Sequence, residues 1–147
     1  SFACGLLAAA LLFAPAAMAA DDVKHPEQMP WAFDGVRGHV DRQSAQRGLQ
    51  VYKEVCAACH GLTRVSFRTL ADLGFSEAEI KALANGYTFS TINDIGETVD
   101  RPGLPSDKFP SPYPNENAAR AANNGAYPPD LSLMIKARHD GANYVYS

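Results

Sequence analysis

Cysteine is scarce in this sequence: the 147 residues include three, at positions 4, 56 and 59. Because Cys4 lies in a segment that we expect to be removed, Cys56 and Cys59 are the thiols whose presence has to be explained. A disulfide between residues this close in sequence would restrict the unfolded chain very little, since its stabilising effect grows with the loop it closes. The sequence therefore excludes a small domain held together by disulfides.

Charged residues are absent from the first twenty positions, which are dominated by Ala, Leu and Phe. The apolar stretch Gly5–Phe13 is too short to span a bilayer, and Ala17-Met18-Ala19 supplies the small residues that signal peptidase requires. We therefore expect residues 1–20 to be an export signal that is cleaved after Ala19 or Ala20. An uncleaved membrane anchor is the alternative.

Long apolar runs and basic clusters are lacking after Ala20. No stretch of ~18 consecutive apolar residues follows, so nothing in residues 21–147 is predicted to cross a membrane. The formal net charge is -3, and no cluster of Lys and Arg is interleaved with aromatic residues. We therefore expect no nucleic acid partner. The length of this part suits one compact domain.

The segment before the cysteine pair predicts a helix. Asp41 or Ser44 can cap it, and its apolar residues recur at steps of three and four positions. They are Leu49, Tyr52, Val55 and Cys59. The preceding segment, Asp21–Val40, is interrupted by Pro and Gly and is expected to be an extended arm over the core. The helix is expected to carry the cysteines to their site.

Three more helices are predicted, over Ser76–Gly86, Asn115–Asn124 and Leu131–His139. In the first, Ser76 and Glu79 form a capping box, and Phe75 and Ile80 are spaced for a hydrophobic staple. The Pro- and Gly-rich segment Asp94–Pro114 is expected to be a long irregular surface loop. Strand signals are weak throughout, so the predicted fold class is mainly α with long irregular loops.

The residues Cys56-Ala57-Ala58-Cys59-His60 form the Cys-x-x-Cys-His pattern of c-type haem attachment. Two thiols can bond to the vinyl groups of one haem, and the adjoining His60 can ligate its iron. A thioredoxin-like dithiol would require a βαβ pattern, which the sequence lacks. A zinc site would require two more ligands, but the remaining histidines are scattered. We therefore predict one covalent haem c, with Cys56 and Cys59 as attachment points and His60 as the metal ligand.

A second axial ligand is harder to find, although methionine is a common choice in electron carriers. Met18 belongs to the expected signal, and Met29 lies in the arm. Met134 falls among apolar residues at helical spacing, which is more typical of a core residue than of an iron ligand. The sixth ligand is therefore expected beyond Ser147.

From Trp31 onwards the sequence resembles the haem domain of cytochrome c1, the haem-bearing subunit of the cytochrome bc1 complex. The resemblance rests on RGLQVYKEVC at 47–56 and RAANNGAYPPDLS at 120–132, and it continues through 137–139 and 143–145. It implies a cytochrome c-like haem domain. In this family a methionine ligand and one transmembrane helix follow further downstream, so the chain is expected to be an N-terminal fragment, anchored to the membrane through a helix that it does not contain.

The resemblance also implies further cofactor-binding residues. Asn123, Ala126, Pro128 and Pro129 are expected to line the haem pocket. A Pro-Pro turn suits this place, because it is rigid and has no amide hydrogen to leave unpaired. Arg138 is expected to face a haem propionate and Tyr144 to lie at the haem edge. A solvated helix charge is the alternative for Arg138.

The function implied by the resemblance is electron transfer in a ubiquinol–cytochrome c reductase of a respiratory or photosynthetic chain. The domain would lie beside cytochrome b, accept electrons from a Rieske iron-sulfur protein and donate them to a soluble cytochrome c. It is not expected to be catalytic alone. Its location would be the periplasmic face of a bacterial inner membrane, or the intermembrane-space side in a mitochondrion. Acidic residues that could dock the acceptor are Asp94, Glu97 and Asp100, although a solvated loop explains them equally well.

Three other functions stay open at this point. A free soluble periplasmic cytochrome c would make Met134 a ligand candidate. A haem enzyme would have an open iron face. A protein with dithiol chemistry would bind no haem.

Overall fold

The computed structural model describes residues 25–147, so the expected signal, with Cys4 and Met18, lies outside the described residues. The α-helices are α1 Arg42–Glu54, α2 Glu77–Asn85, α3 Glu116–Ala122, α4 Met134–Ala137 and α5 Gly141–Tyr146. Two 3-10 helices span Cys56–Ala58 and Phe67–Leu73, and two strands are β1 Thr88–Ile92 and β2 Thr98–Pro102. The predicted mainly α fold is confirmed.

Helix α1 is capped by Asp41, one of the two predicted caps, but ends before the cysteine pair. The Asp41 carboxylate accepts hydrogen bonds from the backbone N–H groups of Gln43 and Ser44 at 3.2 and 3.1 Å. After Glu54 the chain leaves the α conformation, and the amides of Cys59 and His60 both donate to the Cys56 carbonyl, at 3.1 and 2.8 Å. The prediction that one helix runs to Cys59 is therefore wrong, because a tight 3-10 turn takes over.

The capping box of α2 is confirmed. The Ser76 hydroxyl accepts from the Glu79 amide at 3.3 Å, and the Ser76 amide donates to the Glu79 carboxylate at 2.8 Å. Ile80 is buried as a member of the core cluster, and Phe75 packs against that cluster. The helix therefore starts where the sequence predicts, with its apolar face turned inward.

An aromatic core lies between the second 3-10 helix, α2 and the loop after β2. Its buried members are Phe67, Leu70, Ile80, Ala84 and Phe109. The ring centroids of Phe67 and Phe109 are 4.4 Å apart, and Tyr52 of α1 meets Phe109 edge to face at 5.8 Å. Burial of side chains of this size contributes roughly 1.5–3 kcal/mol each. Through Tyr52 the core also supports the helix that leads into the cysteine pair.

The expected irregular loop contains a strand, which is a correction to the sequence interpretation. β2 pairs antiparallel with β1, with Ser90 opposite Asp100. The connecting turn is held by the Asn93 side-chain oxygen, which accepts from the amides of Ile95 and Glu97 at 3.1 and 2.8 Å. The strands are short and mostly exposed, so their sequence has no apolar alternation strong enough to predict them. The Pro-rich part after β2 remains irregular.

The N-terminal arm packs on α5 rather than over the aromatic core. The buried Asn143 accepts hydrogen bonds from the Trp31 indole at 2.7 Å and the Met29 amide at 3.1 Å. The helix predicted over Leu131–His139 is shortened to α4, because the backbone is extended at Arg138, and α5 follows after a turn at Asp140, which has a φ of 64°. None of the helices within residues 25–147 is long and apolar enough to span a bilayer.

Replacing Gly103 by Ala is expected to destabilise the fold by about 1–3 kcal/mol, the usual cost of overpacking. A Cβ atom there would clash with the backbone oxygen of Ala84, which cannot move without distorting α2. Gly48→Ala is the control, because a Cβ at this position of α1 meets nothing within 4 Å and alanine favours a helix. Urea unfolding of both variants measures the difference, and equal effects would contradict the packing described.

Acid is expected to weaken the fold through Asp107. The Arg101 guanidinium binds its carboxylate at 2.6 and 2.9 Å, and this contact lowers the pKa of Asp107 from 3.8 to about 2. Because the native pKa is the lower one, the stabilisation is present above pH 3.8 and is lost as the pH falls toward 2. Unfolding measured against pH should show this loss in the parent protein. In Asp107→Asn the stability should change less between pH 3.8 and pH 2. A profile identical to that of the parent protein would refute the role of Asp107.

Candidate haem site

The cysteine-histidine motif forms one tight turn directly after α1. Cys56 and Cys59 are both half-buried and are not joined by a disulfide. His60, also half-buried, has its Nδ1 atom 2.7 Å from the carbonyl oxygen of Pro129. A carbonyl can only accept, so Nδ1 carries the proton and donates it. In the neutral ring, Nε2 is then the nitrogen whose lone pair is available to a metal.

Asp130 makes a second connection between the segment after His60 and the segment after Pro129. One of its carboxylate oxygens accepts from the amide and the hydroxyl of Thr63, both at 2.8 Å. The other accepts from the Ser132 amide at 2.8 Å. Burial alone would raise the pKa of Asp130, but hydrogen bonds from Ser132 and Thr63 outweigh it and keep the pKa below its ordinary value. The Leu131 amide also donates to the Gly61 carbonyl at 2.9 Å.

Tyr52 supports the motif from α1. Its hydroxyl donates to the backbone carbonyl of His60 at 3.1 Å, while its ring rests on the aromatic core. Burial raises the pKa of Tyr52 to about 12, so the phenol stays protonated and remains a donor. The sequence predicted Tyr52 only as part of an apolar helix face. The available signal was the Tyr52 hydroxyl itself, because a polar group on the apolar face of a helix needs a hydrogen-bond partner when it is buried.

Asn123 is connected to the motif through an intermediary, Tyr113. The Asn123 amide donates to the Tyr113 hydroxyl at 3.1 Å, and that hydroxyl donates to the Ala58 carbonyl at 3.4 Å. Asn123 also donates to the Ala119 carbonyl of α3 at 2.7 Å, which fixes its side chain. Tyr113 lies in the segment predicted as a loop. Sequence reasoning missed it, because a tyrosine among prolines carries no distinctive pattern.

The chain between Asn123 and the Pro-Pro turn is held by Arg120. Its guanidinium binds Glu116 at 2.6 and 2.9 Å and donates to the Gly125 carbonyl at 2.9 Å. Gly125 has a φ of 85°, a left-handed conformation that suits glycine. Ala126 and Pro129 are exposed and Pro128 is half-buried.

Arg138, which follows α4, and Tyr144 of α5 lie against each other. The guanidinium carbon of Arg138 lies 5.6 Å from the centroid of the Tyr144 ring, a cation–π arrangement, and both side chains are exposed. Among residues 25–147, no side-chain hydrogen bond joins this pair to the Cys56–His60 motif. Met134 is 8% exposed, which confirms the interpretation of this residue as part of the interior.

The residues present fit a covalently attached haem. Two unbonded thiols three positions apart are what thioether attachment would require, and the adjacent imidazole is held in the tautomer that leaves Nε2 available to a metal. Within residues 25–147, no group of three or more His, Cys, Asp or Glu side chains is placed to hold a metal ion. The motif would thus offer a haem two covalent attachment points and one nitrogen ligand.

Known proteins match the chain over most of its length. A mitochondrial cytochrome c1 haem protein of Solanum tuberosum is 49% identical over 132 residues, which cover 87% of this chain and 51% of the relative. Cytochrome c1 of Rhodospirillum rubrum is 52% identical over 118 residues, 80% of this chain and 43% of the relative. The mitochondrial cytochrome b-c1 complex catalytic subunit of Candida albicans is 46% identical over 149 residues, 97% and 52% respectively.

The chain spans about half the length of these curated relatives. The profile described as the Cytochrome C1 family matches residues 31–147, which include the cysteine-histidine motif, the Pro-Pro turn and the Arg138–Tyr144 pair. The chain therefore belongs to the cytochrome c1 family.

Proposed function

We propose that this chain holds one haem c and takes part in electron transfer within a cytochrome bc1 complex. Cys56 and Cys59 would form the thioether bonds, and His60 would supply the proximal nitrogen. The observation that carries the proposal is the hydrogen bond from His60 Nδ1 to the Pro129 carbonyl. It orients the imidazole and would strengthen electron donation from Nε2 to a bound metal, and both effects are those expected of an outer partner of a metal-binding histidine.

The bound haem would supply reversible one-electron chemistry at its iron. The surrounding residues hold and tune it. Tyr52 fixes the backbone at His60, and the Tyr113–Asn123 pair fixes the backbone at Ala58. Arg120 holds the turn that leads to Ala126 and the prolines, which we propose as one wall of the pocket.

We propose a charge role for Arg138 and Tyr144. A guanidinium offers paired donors to a carboxylate, so Arg138 is suited to a haem propionate. The Tyr144 ring beneath the guanidinium limits its movement, since the cation rests on the aromatic face. Both side chains are exposed on the described domain, and this leaves them accessible to a cofactor edge.

The proposed electron route runs from a Rieske iron-sulfur protein to this domain and on to a soluble cytochrome c, with cytochrome b as the membrane partner. The name of the Candida albicans relative, a cytochrome b-c1 complex subunit, supports the assembly. The proposed location is the periplasmic face of a bacterial inner membrane or its mitochondrial equivalent. A downstream methionine would complete the iron coordination, and Met134, buried in α4, would keep its packing role.

The function can be tested with two histidine variants of the full-length protein in its membrane complex. His60→Ala should reduce quinol–cytochrome c reductase activity by more than the ~10–100-fold typical of losing an outer-shell partner, because it removes the ligand itself. His39→Ala is the matched control, since His39 is exposed in the arm. Its variant should retain parental activity and the haem absorption spectrum. Full activity in His60→Ala, with unchanged spectra, would refute the proposed function.

A further inference from the structure

The acceptor of the His60 hydrogen bond lies in a segment that has few backbone anchors of its own. Pro128 and Pro129 have no N–H group, so neither can be fixed by donating a hydrogen bond. Pro129 is exposed, so packing restrains it little. The anchors that follow at once are the Asp130 side chain and the Leu131 amide. The position of the Pro129 carbonyl therefore depends on what holds Asp130.

Asp130 forms a clamp across the two segments. Thr63 stands three residues after His60, and its amide and hydroxyl both donate to one carboxylate oxygen at 2.8 Å. The His60–Pro129 hydrogen bond and the Asp130–Thr63 contacts thus join segment 60–63 to segment 129–130 at both ends. Gly61 makes room for the clamp, because a Cβ at this position would lie 3.1 Å from the same carboxylate oxygen.

The contacts of the clamp require a carboxylate rather than an amide. The Thr63 and Ser132 amides each donate to a different oxygen of Asp130. Asparagine would present an NH₂ group to one of them in either orientation, so at least one backbone donor would lose its partner. Leaving a donor unsatisfied is costly enough to displace the segment.

From this geometry we infer that Asp130 is a positioning residue for the axial ligand: it holds the Pro129 carbonyl in line with His60 Nδ1 and so tunes the electron donation of His60 to iron. The inference rests on the haem attachment proposed above. A well-formed hydrogen bond at Nδ1 makes the imidazole more basic and favours oxidised iron. Weakening the clamp should therefore speed the solvent exchange of the His60 Nδ1 proton and raise the midpoint potential of the haem.

The test uses the full-length protein with its haem and compares three variants. Asp130→Asn removes the second acceptor, and Thr63→Val removes one donor while the negative charge stays. Asp107→Asn is the matched control, because the Asp107 carboxylate is also hydrogen-bonded but pairs with Arg101 of β2. The measurements are the solvent exchange of the His60 Nδ1 proton, followed by NMR of the oxidised protein, and the midpoint potential.

In Asp130→Asn the Nδ1 proton is expected to exchange about tenfold faster, the order of one lost hydrogen bond to a charged group, and the potential to rise. Thr63→Val should shift both in the same direction by less. Asp107→Asn should match the parent protein. Parallel movement of both quantities in the first two variants supports the inference.

Two results would overturn it. If Asp130→Asn changes the potential while the Nδ1 exchange stays at the parental rate, the carboxylate acts through its charge alone. If Asp130→Asn does not accumulate with haem, Thr63→Val decides, and parental exchange in that variant overturns the inference. If the parent protein itself carries no covalent haem, it is the proposed function that fails. These outcomes are distinguishable, because the parent spectrum is recorded before any variant is compared.

Discussion

One hydrogen bond, from His60 Nδ1 to the Pro129 carbonyl, relates the two halves of the site to each other. The residues that would hold the cofactor come from a tight turn after α1, whereas the acceptor comes from a Pro-Pro turn 69 positions later. A misplaced turn on either side would leave the imidazole free to rotate, and its tautomer would no longer be fixed. The thioether bonds proposed at Cys56 and Cys59 would not by themselves set the direction of the imidazole ring.

The rest of the domain holds these two turns in place. Tyr52 links the His60 backbone to the aromatic core, so the rigidity of close-packed rings reaches the motif. On the other side, Asp130 and the Leu131 amide hold the Pro-Pro segment against the residues after His60. Tyr52 therefore connects the aromatic core to the motif.

The sequence predicted the parts of this architecture that have local signals. The cap at Asp41, the capping box at Ser76 and the cysteine-histidine motif all depend on residues within a few positions of each other. The β-hairpin was missed because its strands are exposed and lack alternation. Tyr113 and the Asp130 clamp were missed because their partners are 55 and 67 positions away. Such contacts depend on tertiary structure, which no local pattern encodes.

The central claim, that Cys56, Cys59 and His60 fasten an iron porphyrin to the chain, is tested most directly by unfolding. The full-length protein should be purified with its pigment, denatured in acid acetone, and examined by visible absorption and intact mass. We expect the colour to remain with the polypeptide, whose mass should exceed that of the chain by one haem, since thioether bonds survive unfolding. Colour that passes into the solvent, or a polypeptide with no added mass, would contradict the account.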